Sequence, residues 1–300
     1  MNKVFVVIVT FNGSKWIKRC LDSVSNSTVD AKAIIVDNAS SDATVEIIKN
    51  GYPKCCVVET GQNLGFGKAN NIGIRKAIEE GAEYIYLLNQ DAWVDNNVFE
   101  ELIKIKKKYQ EYGILSPLQI TADRKSIDQN FYRDTICRFC DKKELITNLL
   151  LSKSKDVYPT EFVMAAHWFM SVEDIKRVGL FSPAFPHYGE DNNLIDRFHY
   201  MGYKIGFCPN LLAVHDREYR IVTQQNKLYW QFKGLLMVWN NPNINSLFKR
   251  TKRLCGFIIR SICIGGVSLK EKYSSILKGL RLLAYSNKCR EESKNEGAFL

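Results

Sequence analysis

Apolar positions follow two different periods in the first third of the chain. Runs of consecutive apolar residues, such as Val4–Val9 and Tyr84–Leu88, are typical of strands buried on both faces. Between these runs, apolar residues recur every three or four positions, which is typical of amphipathic helices. The predicted strands are Val4–Val9, Ala33–Val36, Cys56–Val58 and Tyr84–Leu88, and the helices that follow them begin at Ser14, at Ser40 or Ser41, at Lys68 and at Asn97. This alternation predicts βαβ units and an α/β fold with a mostly parallel sheet flanked by helices.

The pattern is less regular in the rest of the chain. Residues 119–155 are polar and irregular, and we interpret them as an insertion or a lid. The elements predicted next are a helix from Ser171 to about Gly179, a helix from Glu190 to about Met201, and strands at Tyr203–Phe207 and Leu211–Val214. After Thr223 the pattern is helical, apart from a break at residues 240–243.

Composition is that of a globular protein, and charge distinguishes one region. Of the 300 residues 46% are hydrophobic and 25% charged, which excludes disordered and collagen-like chains. The net charge is +10, but residues 245–300 hold 12 basic and 4 acidic residues, so the first 244 residues are nearly neutral. Because those residues also lack a recognition motif, we expect no nucleic-acid partner.

Cysteine usage and the amino-terminal pattern indicate a cytoplasmic protein. The nine cysteines are odd in number, and Cys137 and Cys140 have no second CxxC pair with which to form a zinc ribbon. The first apolar run spans only about seven residues and is not followed by a signal-peptidase site. No stretch reaches the ~18 apolar residues that a membrane span needs.

Polar residues follow two of the predicted strands, where parallel sheets bind their ligands. Thr10 and Asn12 follow the first strand, and Asp37 follows the second. A carboxylate in this place can accept hydrogen bonds from ribose hydroxyls or from a base N–H group. The alternative is a solvated aspartate that caps the next helix.

A glycine-rich segment, residues 61–70, lies between the third strand and its helix. Gly61 and Gly67 enclose five residues where a Walker loop has four, and Ala69 replaces the hydroxyl that would hold magnesium. Asn70 stands where a dinucleotide fingerprint has its third glycine. Both phosphate-loop motifs are therefore disfavoured. The glycines still allow a ligand to approach the backbone closely, so a loop that contacts substrate stays a hypothesis.

Asn89 and Asp91 directly follow the fourth strand, and their amide and carboxylate oxygens suit magnesium or manganese. Turn chemistry is the alternative explanation for such a pair. His215 closes the strand Leu211–Val214 and becomes functionally interesting only if it converges on Asp91.

Two adjacent carboxylates, Glu190 and Asp191, begin a predicted helix, where the helix dipole favours negative charge. A plain helix cap is the alternative. Adjacent helical side chains point ~100° apart, so only one of the two is expected to act as a base. Trp168 could stack on a sugar ring, although a buried aromatic residue is the common case.

Seven strings, taken together and in order, resemble family-2 glycosyltransferases of the GT-A fold, with a Rossmann-like nucleotide-binding half. They are closest to the rhamnosyltransferase-like branch that builds bacterial surface polysaccharides such as O-antigen and capsule. The strings are VTFN, VDNASSD, NLGFGKANNIG, LLNQD, AAHWFM, GLFSPAFPHYGEDNNLIDR and CPNLLAVH.

This resemblance implies a metal-dependent, inverting transfer of a sugar such as rhamnose, galactose or galactofuranose. The donor would be a dTDP- or UDP-sugar, and the acceptor a hydroxyl of a saccharide or polyprenyl-linked saccharide. The positions that match the family are Thr10, Asn12, Asp37, Asn63 and Asn89 for the nucleotide, Asp91 and His215 for Mn²⁺ or Mg²⁺, Asp191 for the general base, and Glu190 and Trp168 for the acceptor. Asn89 stands in the first place of the DxD motif, which leaves Asp91 as the main metal ligand.

The domain organisation combines this resemblance with the charge pattern of the tail. Residues 1–244 are predicted to form the catalytic domain, with a nucleotide-sugar half at 1–118 and an acceptor half at 156–222, and residues 245–300 a basic amphipathic tail. Such a tail is typical of a segment that lies on anionic lipid, here the inner face of the plasma membrane. The alternatives are helices that pack on the catalytic domain or form a homodimer interface.

Two other functions stay open from the sequence. One is a non-catalytic nucleotide- or sugar-binding relative of the same fold. The other is an NAD-type oxidoreductase, which the missing glycine at position 70 disfavours.

Overall fold

A computed structural model describes residues 3–185, 188–217 and 224–300, without the side chains of residues 224–226. Nine strands of the described chain form one sheet. They are β1 (Val4–Thr10), β2 (Ala31–Asp37), β3 (Cys56–Glu59), β4 (Tyr84–Asn89), β5 (Ala92–Val94), β6 (Tyr112–Ile120), β7 (Tyr158–Thr160), β8 (His167–Ser171) and β9 (Lys204–His215). The helices are α1 (Ile17–Ser25), α2 (Thr44–Gly51), α3 (Phe66–Glu79), α4 (Val98–Lys108), α5 (Gln129–Phe131), α6 (Lys142–Leu150), α7 (Val172–Val178), α8 (Glu190–Tyr200), α9 (Gln224–Asn240), α10 (Leu247–Cys263) and α11 (Leu269–Glu292).

The strand order β3-β2-β1-β4-β8-β6-β9-β5 combines a parallel and a mixed half. In the first half β3, β2, β1 and β4 are parallel, and the register places Thr10 beside Asp37 and Val9 beside Asn89. The carboxyl ends of these strands therefore form one edge. In the second half β5, β7 and β8 run antiparallel to their neighbours, while β6 and β9 are parallel. The predicted α/β fold with flanking helices is confirmed, but the parallel arrangement dominates only the first half.

Close packing of α3 on the sheet depends on a glycine. A Cβ atom at Gly73 would lie 2.4 Å from Val7 Cγ1, far inside van der Waals contact.

The first two helices begin later than predicted. Gly13 O accepts the N–H groups of Trp16 and Ile17, so Ser14 does not cap α1. Ser40 is bonded to Asp37 instead of capping α2, which begins at Thr44.

Residues 119–155 are more regular than predicted. After β6 the chain turns, with a bridge between Ile120 and Ile127, and then forms α5, a π-helical segment (Tyr132–Cys137) and α6. Phe131 and Leu145 of these helices are buried in the main core. The segment is therefore a helical insertion that packs on the core. Its helices were not predicted because they are too short to show a long periodic pattern.

The carboxyl half of the sheet agrees with its predicted helices and differs in one strand. Ser171 Oγ accepts the N–H of Asp174 at 3.1 Å and caps α7, as its capping pattern predicts. The two strands predicted at 203–207 and 211–214 are one strand, β9, whose pairing with β6 shifts register after Cys208. A bulge thus carries the strand through Pro209 and Asn210.

The helices from residue 224 onward pack on one another and on the loop before α8. Their shared core contains Phe232, Leu235 and Trp239 of α9 and Phe257 of α10, and Phe185 from the loop before α8 joins it. α9, which precedes residue 245, thus shares a core with α10, and the domain boundary at residue 245 stays a prediction. In the described ranges, every helix is too short or too polar to cross a bilayer.

Candidate active site

The ends of β1 and β2 are joined through Asp37, which is 2% exposed. Thr10 Oγ1 donates to Asp37 Oδ1 at 2.8 Å, and Ser40 N donates to Asp37 Oδ2 at 2.9 Å. Ser40 Oγ donates to Oδ1 as well, at 2.5 Å. Both carboxylate oxygens are thus engaged by Thr10 and Ser40 without capping α2, and any nucleotide contact must add to these bonds.

Two asparagines build the rest of this edge. Asn12 lies in the left-handed region (φ 50°) and its Oδ1 accepts the Ser41 N–H at 2.8 Å. Asn38, which sequence reasoning missed although it lies in the VDNASSD string, is buried; its Oδ1 accepts the Leu64 N–H at 3.1 Å and its Nδ2 donates to Gly65 O at 3.3 Å. Asn38 thereby holds the glycine-rich loop against β2.

Asn63 projects from that glycine-rich loop. Its side chain is exposed, and its Oδ1 accepts the N–H of Gly65 at 2.9 Å. The residue therefore lies at the surface of the same edge that carries Thr10 and Asp37.

Gln90 fastens the end of β4 to the end of β1. Its Oε1 accepts the Phe11 N–H at 2.9 Å, and its Nε2 donates to Phe11 O at 3.1 Å. A Cβ atom at Gly13 would lie 2.2 Å from Gln90 Oε1, so only glycine leaves room for this pairing. Gln90 is therefore a positioning residue. It lies in the LLNQD string, but nothing in the sequence indicated this role.

Asp91 and His215 come together, as the sequence hypothesis requires. His215 Nε2 lies 3.5 Å from Asp91 Oδ1 and 3.5 Å from Asn89 Nδ2. The short strand β5 causes this approach, because Ala92 pairs directly with His215. Burial alone would raise the pKa of Asp91, but the hydrogen bond and charge of His215, together with the charge of Arg217, lower it below its ordinary value.

The ring of His215 is buried and lies beside the ring of His167. His215 is 4% exposed, and its Nδ1 has no hydrogen-bond partner among the described residues. The neighbouring ring of His167 donates from Nε2 to Val214 O at 3.0 Å, and its Nδ1 accepts from Tyr86 Oη at 2.8 Å. Burial lowers the pKa of His167 to about 3, so this ring is neutral and keeps that tautomer.

The Asp91 neighbourhood fits a divalent cation that is only partly held by protein. Within the described ranges no three His, Cys, Asp or Glu side chains cluster as a metal site. The carboxylate of Asp91 and the imidazole of His215 are, however, 3.5 Å apart, near the ~3 Å between adjacent ligands of an octahedral ion with bonds of about 2.1 Å. With the Asn89 amide they could supply part of a coordination shell, leaving the other positions open to oxygen ligands from outside the protein.

Arg217 adds a cation that sequence reasoning missed. Its Nε donates to Asp128 Oδ2 at 3.0 Å, and its Nη2 contacts Met164 Sδ at 2.6 Å. Asp128 is almost fully buried at the start of the insertion, so the guanidinium is fixed near Asp91 rather than free in solvent. The sequence feature that could have identified Arg217 is its position two residues after His215, at the end of a strand.

The acidic pair opens α8 and rests against α3. Glu190 is 5% exposed, and a Cβ atom at Gly67 would lie 3.4 Å from Glu190 Cγ. Glu190 Oε2 is buried without a hydrogen-bond partner among the described residues. Asp191 is half-buried, and its Oδ1 accepts the Asn192 N–H at 2.8 Å.

The surroundings of the two carboxyl groups affect their pKa values differently. Burial and the neighbouring charge of Asp191 raise the pKa of Glu190 to about 8, so this group is protonated at neutral pH. Burial also raises the pKa of Asp191, but the charge of Lys233 and backbone N–H groups oppose the rise. Asp191 is the more exposed member of the pair, and its negative charge contributes to the raised pKa of Glu190, so Asp191 is the better candidate for the base.

The predicted acceptor contact of Trp168 is wrong for this structure. Trp168 is fully buried, its Nε1 donates to Val163 O at 3.1 Å, and its ring stacks on Phe181 with centroids 6.1 Å apart. An indole with no exposed face cannot stack on a sugar, so its role here is packing.

Comparison with known proteins identifies a family and several relatives. The family model described as Glycosyl transferase family 2 matches residues 5–170, more than half of the chain. The low-salt glycan biosynthesis hexosyltransferase Agl10 of Haloferax volcanii is 21% identical over 270 residues, which cover 89% of this chain and 83% of that protein. An N-acetylglucosaminyl-diphospho-decaprenol L-rhamnosyltransferase of Mycobacterium tuberculosis is 27% identical over 122 residues, 38% of this chain and 40% of that one.

A solved structure resembles the fold over most of the chain. The crystal structure of GalNAc-T7 with UDP, GalNAc and Mn²⁺ aligns with a TM-score of 0.61 and 18% identity, covering 95% of this chain and 57% of that one. At this level of identity the likeness concerns the fold.

Proposed function

The chain belongs to glycosyl transferase family 2 and has the GT-A fold, and from this we propose an inverting transfer of a sugar from a nucleoside-diphosphate donor to a saccharide hydroxyl. One observation carries the proposal. Asp91 follows β4 with His215 of β9 beside it, and Glu190 of the acidic pair rests on the start of α3, which follows β3, so both pairs lie at the carboxyl edge of the parallel strands. Membership in this family removes the oxidoreductase alternative.

We assign the donor to the edge formed by β1, β2 and β4. Thr10, Asn12, Asp37 and Asn63 would contact the nucleoside, with Asn89 beside them at the end of β4. The rhamnosyltransferase among the relatives makes a deoxyhexose such as rhamnose the leading donor sugar, ahead of galactose or galactofuranose, on dTDP or UDP. Asp91 and His215 would hold the divalent cation, whose positive charge would stabilise negative charge on the departing diphosphate.

Asp191 supplies the general base in this proposal. Its carboxylate takes the proton from the acceptor hydroxyl while that oxygen forms a bond to the anomeric carbon. The bond from the anomeric carbon to the diphosphate oxygen breaks on the opposite face, so the configuration inverts and no covalent sugar–enzyme intermediate forms. The protonated Glu190 beside it can donate a hydrogen bond to the acceptor without competing for the proton.

We propose that the acceptor is linked to a lipid and that the tail approaches the inner face of the membrane. The mycobacterial relative is named for an acceptor on diphospho-decaprenol, which supports this class of acceptor. On α10 and α11, Phe248 is 74% exposed and Leu269 is 82% exposed, near basic residues such as Lys249 and Lys252. Exposed apolar side chains next to lysines suit a surface of anionic lipid.

Replacing Asp191 by Asn tests the central assignment. The variant should lose transfer by about 10²–10⁴-fold, the contribution of a positioned base, while nucleotide binding stays at the wild-type level. Release of the nucleoside diphosphate in the presence of acceptor measures transfer. Glu173→Gln, an exposed carboxylate in the first turn of α7, is the matched control. Near-normal turnover of Asp191→Asn would remove Asp191 from this role, and a wild-type protein that binds nucleotide without any turnover would favour the non-catalytic alternative.

A further inference from the structure

The loop before α8 presents an aromatic ring in a strained conformation. Tyr188 has φ 58° and Gly189 has φ 99°, so two consecutive residues are left-handed just before the acidic pair. For a residue other than glycine this conformation costs ~1–3 kcal/mol, and such strain is concentrated at functional sites. The ring of Tyr188 lies 5.8 Å from that of Trp230, at 29°, and 6.3 Å from that of Tyr229.

Lys233 completes this cluster with a positive charge. Its Nζ lies 4.7 Å from the ring centroid of Trp230 and 5.4 Å from that of Tyr188. In the part of the chain that is described, its ammonium group has no carboxylate within ion-pair distance. The group nevertheless lies close enough to Glu190 and Asp191 for its charge to oppose the rise in the pKa of both carboxyl groups.

Contacts between α8 and α9 fix the position of this cluster. A Cβ atom at Gly189 would lie 3.3 Å from Met237 Cγ, and Asn193 Nδ2 donates to Asn240 O at 3.2 Å. Residues 230, 233, 237 and 240 are spaced by three or four positions, so they lie on one face of α9. That face of α9 is therefore turned toward the start of α8, where the carboxyl pair lies.

The chemistry of the cluster suits one class of ligand. Trp230 is 47% exposed and offers an aromatic surface to the C–H face of a sugar ring. An ammonium group beside that surface recognises an anionic substituent on the same molecule. We propose that Trp230, Tyr188 and Lys233 form an acceptor subsite that takes a saccharide carrying a diphosphate at its reducing end; this assignment rests on the proposed function.

A separate cavity lies on another face of α9 and borders Tyr229. It has a volume of about 690 Å³ and lies between α9 and α11, with Tyr229 and Phe232 in its wall. Lys270 and Lys278 also line it, and Lys278 Nζ lies 5.5 Å from the ring centroid of Phe232. Glu271 lines the cavity as well, and none of the three residues of the proposed subsite does, so the cavity is not part of this assignment.

The experiment measures binding directly, so that its result does not depend on turnover. The full-length chain is titrated by calorimetry with two probes: N-acetylglucosaminyl diphosphate bearing a short alkyl chain, and the uncharged alkyl N-acetylglucosaminide. Trp230→Ala should weaken both probes by roughly tenfold, because stacking is lost. Lys233→Gln should weaken only the diphosphate probe, by roughly ten- to a hundredfold, and Lys233→Arg should retain most of its affinity.

Lys227→Gln is the matched control, since Lys227 is an exposed lysine of the same helix. The proposal is overturned if Lys233→Gln binds both probes as the wild type does or weakens both equally, or if the wild type binds neither. It is also overturned if Lys233→Gln loses stabilisation by UDP or dTDP instead, because Lys233 would then belong to the donor. Transfer by the wild type with unchanged probe binding in the variants would leave the proposed function intact and remove the subsite alone.

Discussion

Replacing Glu190 by Gln should change the pH dependence of folding stability in one direction. Glu190 is 5% exposed, and burial together with the charge of Asp191 raises the pKa of its carboxyl group from 4.5 to about 8. In the unfolded chain the same group ionises near pH 4.5, so the unfolded state is stabilised relative to the folded state as the pH rises between these values. The wild type should therefore lose stability from pH 4.5 to pH 8, and the uncharged glutamine should remove this loss.

The structure sets an upper limit on the effect. An interval of about 3.5 pH units at 1.4 kcal/mol per unit corresponds to at most 5 kcal/mol in the free energy of unfolding at pH 8. At pH 7 the advantage of Glu190→Gln should be about 3 kcal/mol. At pH 4.5 and below the two proteins should be nearly equal, because glutamine and protonated glutamate are both neutral and similar in shape.

Urea denaturation at intervals between pH 4.5 and 8.5 provides the measurement. Glu173→Gln serves as a control, because this exposed carboxylate should leave the pH profile unchanged. Asp191→Asn should lie between the wild type and Glu190→Gln, because it removes the neighbouring charge but not the burial. Parallel profiles for Glu190→Gln and the wild type would mean that Glu190 is ionised in the folded protein, and the assignment of a neutral acid beside an ionised base would be refuted.

Three further perturbations have defined outcomes. Asp91→Ala should abolish the Mn²⁺-dependent part of the thermal stabilisation by UDP or dTDP, about 2.7 kcal/mol at a hundredfold excess of ligand over Kd; an unchanged dependence on Mn²⁺ would place the cation elsewhere. Gly179→Ala should lower the free energy of unfolding by about 2 kcal/mol or more, because a Cβ atom there (φ 88°) would lie 1.9 Å from Ala298 O. Gly202→Ala (φ 87°) is the control and should cost less, because the space around Gly202 is open. Equal losses of stability in the two variants would contradict the clash. The double replacement of Phe248 and Leu269 by Ser should reduce sedimentation with anionic vesicles without changing thermal stability, and wild-type sedimentation would remove these side chains from the membrane proposal.

Local patterns predict the first half of the fold well because each element there is a complete local signal. The apolar runs of β1 and β4 are continuous, and their helices show a clear amphipathic period. The later strands lack such signals. Gly113 and Pro117 interrupt the apolar pattern of β6, and Pro209 interrupts that of β9, although pairing with neighbours on the sheet holds both strands together. Tertiary pairing thus decides what local propensity leaves open.

The site shows the same division. Thr10, Asp37 and Asp91 were predictable because residues at the carboxyl ends of parallel strands share one edge. The approach of His215 to Asp91 depends instead on pairing through β5, a strand of only three residues with little local signal. The position of Lys233 depends on how α9 packs on α8, which no pattern within α9 encodes.

The contacts of α8 argue that the basic tail is not a separable appendage. At its start, α8 carries the acidic pair and is packed by α9, whose core is shared with α10 and α11. Further along, Arg197 is fully buried; its guanidinium donates to Leu180 O and Val178 O, and to Ala298 O at 3.3 Å. The last residues of the chain thus complete the hydrogen bonding of a buried cation on the helix that bears the proposed base. Removing residues 245–300 would leave Arg197 short of a partner and expose the core of α9, so loss of activity in such a truncation would report on folding, and surface substitutions are the sound way to test a membrane role.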